Sequence, residues 1–306
     1  MNMFRKRIAL FLKGIGMGAA DVIPGVSGGT IAFITGIYEE LINTIKNVHP
    51  NLLKVWKKEG FGAFWNALNG NFLLVLFLGI GTSLLSLAHV VSFLLDNYPI
   101  YVWSFFFGLI LASAWVVGKK VLRWSWNRFL FVGLGIVIAV WITLATPAQT
   151  PETMWFIFLS GTLAICAMIL PGISGSFILL LLSKYEFIIQ AIKDLDVKII
   201  AIFGAGAVLG IMSFSRLLSW MFKKYHDLTV ALLSGFMIGS LLKVWPYKKV
   251  VETRIDRHGE VVPLIEKAIF PDGEMYSTIP AAAALTLTAV ILIIVLDRYA
   301  PEANES

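Results

Sequence analysis

VIPGVSGGTIAFITGIYEELI (22–42) returns 147 residues later as ILPGISGSFILLLLSKYEFII (169–189). In this register Pro24 matches Pro171, Gly25 matches Gly172, Ser27 matches Ser174 and Gly28 matches Gly175. Tyr38 and Glu39 then match Tyr185 and Glu186, and upstream Gly14 matches Gly161. Apolar stretches match one another cheaply, but Pro-Gly-x-Ser-Gly followed by Tyr-Glu in one register is more than shared hydrophobicity. Farther on the spacing shortens. Gly79 and Gly81 match Gly204 and Gly206 at 125, then Tyr98 matches Tyr225 and Gly108 matches Gly235 at 127. The chain reads as two related halves, 1–147 and 148–306.

Around these motifs the composition is that of a membrane protein. Of the 306 residues 58% are hydrophobic and only 14% are charged, and the mean hydropathy is +0.81. A soluble domain of this length needs more charge. The net charge of +6 comes from Lys and Arg beside apolar stretches, which reads as topology and not as a nucleic-acid surface. One cysteine, Cys166, excludes an intramolecular disulfide and a cysteine-cluster metal site; the four histidines have no metal-ligand spacing. No cofactor is expected. The start, residues 1–21, mimics a signal peptide with small residues at Ala19 and Ala20. Its partner deep in the second half argues against cleavage.

Six stretches are long enough to span a bilayer: roughly 72–95, 100–118, 128–146, 198–222, 227–245 and 279–297. Two more, 5–45 and 153–192, are apolar but broken by Pro and Gly. Residues 46–71 carry Trp and Lys amphipathically and read as lying on the membrane surface. Residues 246–278 are polar, with a hairpin expected around RIDRHGEVV. Arg5, Lys6 and Arg7, then Lys46, Lys54, Lys57 and Lys58, then Lys119, Lys120, Arg123 and Arg128, then Lys223 and Lys224, all fall on one side. The connections at Asp96–Pro99 and Thr146–Thr153 lack Lys and Arg. Both termini are therefore expected in the cytoplasm and 246–278 outside. One broken segment plus three spans per half is an odd number of crossings, so the second half enters from the opposite face. The expected fold is an all-α polytopic inverted-topology repeat, each half a re-entrant helical hairpin plus three transmembrane helices.

Pro24 and Pro171 lack an N–H and stop the preceding helix. Gly25, Gly28 and Gly29, and Gly172 and Gly175 in the second half, allow a tight reversal. Ser27 is a natural N-cap for a helix starting near Thr30, and Ser174, followed by Ser176, repeats it. Each arm has about 15 residues, about 22 Å of helix, which suits a hairpin turning inside the membrane. Two opposed turns would gather free N–H groups, positive helix ends and hydroxyls, a site for an anion such as phosphate. Alternatively the glycines only let helices pack closely, as the Gly206/Gly210 pair is expected to do.

Charges within apolar stretches are candidates for function. Asp21 beside the first turn, opposite the apolar Met168, reads either as a proton or ion site or as a turn cap. Arg216 and Lys13 read either as phosphate partners or as snorkelling cations. Glu39 and Glu186 read as gating or steering groups or as interfacial charges. His89 reads as a hydrogen-bonded interior side chain that could titrate.

The stretches ADVIPGVSGGTIAFITGIYEELI and LPGISGSFILLLLSKYE closely resemble the bacterial polyprenyl-phosphate transporter family, and the likeness covers essentially the whole chain. The resemblance implies a flippase of the cytoplasmic membrane that returns undecaprenyl phosphate to the inner leaflet, recycling the lipid carrier for cell-wall and other envelope polymers. It implies a head-group site at Asp21, Pro24, Gly25, Ser27, Gly28, Pro171, Gly172, Ser174 and Gly175. Polyprenyl phosphate and membrane lipids would be the partners, with no nucleic acid and no nucleotide motif; proton or sodium coupling and the oligomeric state stay open. A small-anion channel or transporter is the alternative. Undecaprenyl-pyrophosphate phosphatases also have Pro-Gly-x-Ser turns, but theirs carry an Arg where this chain has Gly28 and Gly175, which speaks against hydrolysis.

Overall fold

The computed structural model describes residues 3–23, 26–49, 51–255 and 261–299. Its order is α1 (Met3–Val22), α2 (Gly28–Ile34), α3 (Tyr38–Asn47), α4 (Asn51–Ala67), α5 (Gly70–Ser86), α6 (Ala88–Asn97), α7 (Pro99–Gly118) and α8 (Trp126–Leu144). There follow α9 (Met154–Ile169), α10 (Gly175–Leu181), α11 (Tyr185–Lys193), α12 (Val197–Ser240), strands β1 (Lys248–Ile255) and β2 (Val261–Ala268), a 3-10 turn and α13 (Ile279–Tyr299). Among the described residues four helical runs are long and apolar enough to cross a bilayer, or up to six if each of two bent helix pairs is one span. The chain is thus a mostly helical, polytopic membrane protein.

The expected spans 100–118, 128–146 and 279–297 are α7, α8 and α13. The other three differ. The stretch 72–95 is divided at Leu87 between α5 and α6. The stretches 198–222 and 227–245 lie in α12, 44 residues in two helices joined across a kink and ending at Ser240. That length is about 66 Å, twice what a bilayer core accommodates. Tyr225 (φ −136, ψ 46) breaks it where the sequence places Lys223 and Lys224. Tyr98, its partner in the repeat, has the same backbone conformation (φ −136, ψ 45) between α6 and α7.

Both broken segments contain three helices. The arms are unequal, not two lengths of about 15 residues. α1 has 20 residues and α9 has 16, whereas α2 and α10 have seven each. The short helices end where Gly36 (φ 74) and Ser183 (φ 52) enter the left-handed region. α11 then leaves α10 at 108°. Lys13 Nζ donates to the carbonyl of Thr35, the C-cap of α2, at 2.6 Å, so this ammonium closes a helix end and does not snorkel. In the second segment Ala148 N donates to Leu181 O and the fully buried Lys184 donates to Thr150 O at 2.7 Å, tying an extended stretch across the end of α10.

The stretch expected on the membrane surface contains α4, kinked at Gly60 (φ 86) and meeting α5 at 51°. Only Leu52 of α4 is buried. In the polar region, β1 and β2 pair antiparallel, from Lys248 opposite Ala268 to Ile255 opposite Val261. The hairpin turn itself, 256–260, lies outside the described residues.

Close glycine contacts hold the long helices together, and they recur at matched positions. A Cβ on Gly14 of α1 would stand 2.4 Å from Leu76 O of α5, and one on Gly161 of α9 would stand 2.3 Å from Phe203 O of α12. Reciprocally, Gly79 faces Phe11 O at 2.3 Å and Gly206 faces Phe158 O at 2.0 Å. Gly108 approaches Thr286 O of α13, as Gly235 approaches Val132 O of α8. These contacts match Gly79 to Gly206, a spacing of 127, and correct the 125 read from sequence. Gly81 and Gly204 face open space. The G-x-G in each half lets a sequence comparison slide by two. Gly206 and Gly210 both face α9, as the GxxxG reading expects.

Gly206→Ala is expected to lower stability in detergent by about 1–3 kcal/mol, because a methyl group would have to displace backbone. Gly204→Ala, two residues away, should leave the melting curve unchanged. Equal effects of the two would show that the 127 spacing is not the packing register.

Candidate functional site

α9 ends because Pro171 cannot continue it, which leaves its last carbonyls without intrahelical donors. The first motif supplies them. Ser27 Oγ donates to Met168 O at 2.9 Å, and Tyr38 Oη donates to Ile169 O at 3.0 Å. In return Gly172 N donates to Thr30 Oγ1 at 2.9 Å. Gly172 has φ +84, and a Cβ on Gly29 would stand 2.7 Å from Ile169 O, so both glycines are required by the approach. The two motif turns are therefore joined directly. Pro24 and Gly25 lie outside the described residues.

The first turn spends its polar groups on this structure. Gly28 N donates to Asp21 Oδ1 at 2.7 Å, and Gly29 N donates to Ser27 Oγ at 3.0 Å, making Ser27 the N-cap of a helix that starts at Gly28, two residues before the position expected. Asp21 thus acts as a turn cap. Tyr38 is fully buried, edge-on to Phe33 (4.8 Å between centroids) and Phe222 (6.0 Å).

The second turn is built on the same backbone, with Ser174 at φ −105, ψ 133 against φ −118, ψ 134 for Ser27. Its hydroxyl does not cap α10. It pairs with Ser176 Oγ at 2.7 Å. Lys243, just past α12, lines a small cavity with Gly172, Ser174 and Phe177, and its ammonium lies 4.4 Å from the Phe177 ring centroid. Lys248 is nearby on β1. Its side chain is 8% exposed, lies over Trp103 at 3.5 Å and pairs with Glu266 at 3.5 Å. Burial pushes the Lys248 ammonium down to about 8, Glu266 works against the shift, and Lys243 adds to it. Neither lysine was singled out from the sequence.

The remaining candidates are dispersed. Arg216 is exposed, and its guanidinium donates to Met212 O of its own helix at 2.8 Å. His89 is exposed on α6, not interior. Glu39 faces His226 at 3.4 Å beside the break in α12, and His226 in turn faces Asp227 at 3.6 Å, which pairs with Arg128 at 3.2 Å. Glu186 opens α11. Among the described residues no group of His, Cys, Asp and Glu could hold a metal ion.

Comparison with known proteins agrees with this architecture. The profile of the VCA0040-like family, described as undecaprenyl phosphate translocase-like, matches residues 17–262. A polyprenyl-phosphate transporter of Vibrio cholerae serotype O1 is 45% identical over 298 residues, 96% of this chain and 97% of the relative. A polyprenyl-phosphate transporter of Staphylococcus aureus is 31% identical over 253 residues, 77% of this chain and 85% of the relative. No solved structure matches. With matches of this length running through both joined turns, the chain belongs to the VCA0040-like, undecaprenyl phosphate translocase-like family.

Proposed function

We propose that this protein carries undecaprenyl phosphate, or a closely related polyprenyl phosphate, between the leaflets of the bacterial cytoplasmic membrane, so recycling the lipid carrier of envelope polymers. Two relatives named for polyprenyl-phosphate transport support the substrate class. The observation that carries the mechanism is the asymmetry of the joined turns. The first turn's hydroxyls are bound to the structure, while Ser174, Ser176 and Lys243 gather around the second. A phosphate crossing the apolar layer needs donors and a positive charge there, since an unshielded charge costs at least several kcal/mol. Ser174 and Ser176 would donate to phosphate oxygens, and Lys243 would neutralise them after swinging off Phe177. Asp21, Ser27, Gly28, Gly29 and Thr30, with Pro171, Gly172 and Gly175, would hold the turns.

In this reading the halves 1–147 and 148–306 form an inverted repeat with both termini cytoplasmic, and the turns lie near the midplane. The recurring glycine contacts and the matched breaks at Tyr98 and Tyr225 support the repeat. Energy would come from an ion gradient. Glu39 with His226, at an interhelical contact, is a better candidate for such coupling than Arg216 or His89, which sit on exposed faces. The activity is transport and not hydrolysis: Gly28 and Gly175 stand where the phosphatases carry Arg, and both relatives are named transporters.

Reconstituted vesicles with leaflet-selective detection of undecaprenyl phosphate test this. Ser174→Ala with Ser176→Ala, and separately Lys243→Gln, should slow leaflet exchange about tenfold or more, the equivalent of one lost charge-assisted hydrogen bond, without lowering the melting temperature. Ser27→Ala should lower the melting temperature instead, because it leaves Met168 O and Gly29 N unpaired. Wild-type exchange in the first two variants sinks the head-group assignment; a steady current of simple anions would replace it with a channel.

The buried Lys248 gives a pH signature. Its folded pKa of about 8 lies below the 10.5 of a free lysine side chain, so the unfolded chain binds more protons between them. The cost of burying the ammonium is fully present below pH 8 and is relieved as pH rises towards 10.5. Thermal stability should therefore climb from pH 8 to 10, and Lys248→Met should flatten that climb.

A further inference from the structure

The breaks at Tyr98 and Tyr225 have the same backbone conformation and different surroundings. α3 covers the break at Tyr225. Tyr38 packs on Phe222, Glu39 meets His226, and Ser219 donates to Asn43 and accepts from Lys46. α11, which matches α3 in the repeat, packs elsewhere, with Ile188 and Ala191 against Ile157 and Ile199. Beside Tyr98 there is a broadly open apolar cavity of about 710 Å³. This is within the size range of sites that enclose small organic ligands.

The lining presents no polar surface. α6 and α7 provide Leu94, Tyr101 and Phe105, α13 provides Ala284 and Leu285, and the inner wall is Ile23. Ile23 is almost fully buried and stands two residues from Asp21 and immediately before Pro24. The cavity thus reaches the residue that precedes the first motif. On the other face of α7, Trp103 lies under Lys248 and Phe107 packs edge-on against Trp245 at 5.4 Å. One helix therefore separates a basic, polar region from an apolar cavity.

We propose that this cavity seats the part of the polyprenyl chain nearest the phosphate, an inference that rests on the translocase reading above. A single chain suits one cavity that reaches the first motif, whereas a phospholipid brings two chains and a glycerol ester against a surface that is apolar throughout. Aromatic walls at Tyr101 and Phe105 suit the flat, methyl-branched double bonds of isoprene units, which present π faces to the rings. The seat lets the tail stay in apolar surroundings while the head moves along the turns, and it gives the protein a means of choosing polyprenyl phosphate over other anionic lipids.

The test is photolabelling of the full-length protein in phosphatidylethanolamine–phosphatidylglycerol vesicles, with a polyprenyl phosphate carrying a diazirine near its head. Label is expected on peptides containing Tyr101 or Leu285, displaced by undecaprenyl phosphate. Ala284→Trp, which fills the cavity from an exposed position, should reduce labelling and leaflet exchange about tenfold. Leu285→Trp serves if that variant fails to fold. Label confined to other helices, equal labelling by a diazirine phosphatidylglycerol, or wild-type labelling in a folded cavity-filled variant overturns the seat. Label in the cavity of a wild-type protein that moves no polyprenyl phosphate keeps the seat and sinks the translocase reading.

Discussion

The hydrogen bonds that close the end of α9 govern this molecule. A helix stopped by proline in the buried interior of the protein exposes carbonyls that water cannot reach, and each one left unpaired costs on the order of several kcal/mol. Met168 O and Ile169 O are satisfied by Ser27 and Tyr38, from a motif 131 to 141 residues away, and Gly172 N is satisfied by Thr30. The requirement explains the motif residue by residue. Ser27 must be a hydroxyl because it donates to one turn while accepting from Gly29 in its own. Gly29 must lack a side chain because Ile169 O occupies the space. Tyr38 must reach across ten residues of a bent segment, and the rings of Phe33 and Phe222 hold it in place.

All the side chains in these bonds come from the first half. The second half contributes backbone, so its own hydroxyls at Ser174 and Ser176 are left to bond each other. Two related turns meeting face to face cannot both serve as donor to the other's helix end without crowding. One becomes the clasp, and the hydroxyls of the other pair together. Asp21 belongs to the clasp through Gly28 N, which accounts for an acidic residue where the second half has Met168.

Much of this was legible in the sequence. Proline without an N–H, glycine beside serine and the recurrence of Tyr-Glu were enough to place the turns, and uninterrupted apolar runs placed α7, α8 and α13. What was hidden depended on relations between distant residues. The register at Gly79 could not be read because G-x-G matches itself when shifted by two, and only the backbone across the helix pair distinguishes the glycine in contact from the one facing open space. The arms were read as equal because nothing in the apolar run after Thr30 signals that Gly36 turns left-handed after seven residues. Nothing in the sequence sets Lys243 and Lys184 apart from other lysines. One lies against Phe177 at the second turn and the other is fully buried on Thr150 O, because segments outside the motifs fold back over it.

A polyprenyl phosphate sets contradictory demands, since a doubly anionic head and a long apolar tail must pass the same barrier together. A symmetric pair of turns meets neither demand, because a clasp in both halves leaves no free donor and a cavity in both halves leaves no clasp. The packing of α3 breaks the symmetry. By reaching across to Phe222 and Ser219, it closes the region around Tyr225 and fixes Tyr38 on Ile169 O. α11 stays with Ile157 and Ile199, and the region around Tyr98 remains open. One difference in how two matched helices pack therefore accounts for the clasp and the cavity together. The second turn's own hydroxyls, at Ser174 and Ser176, bond each other and take no part in the clasp.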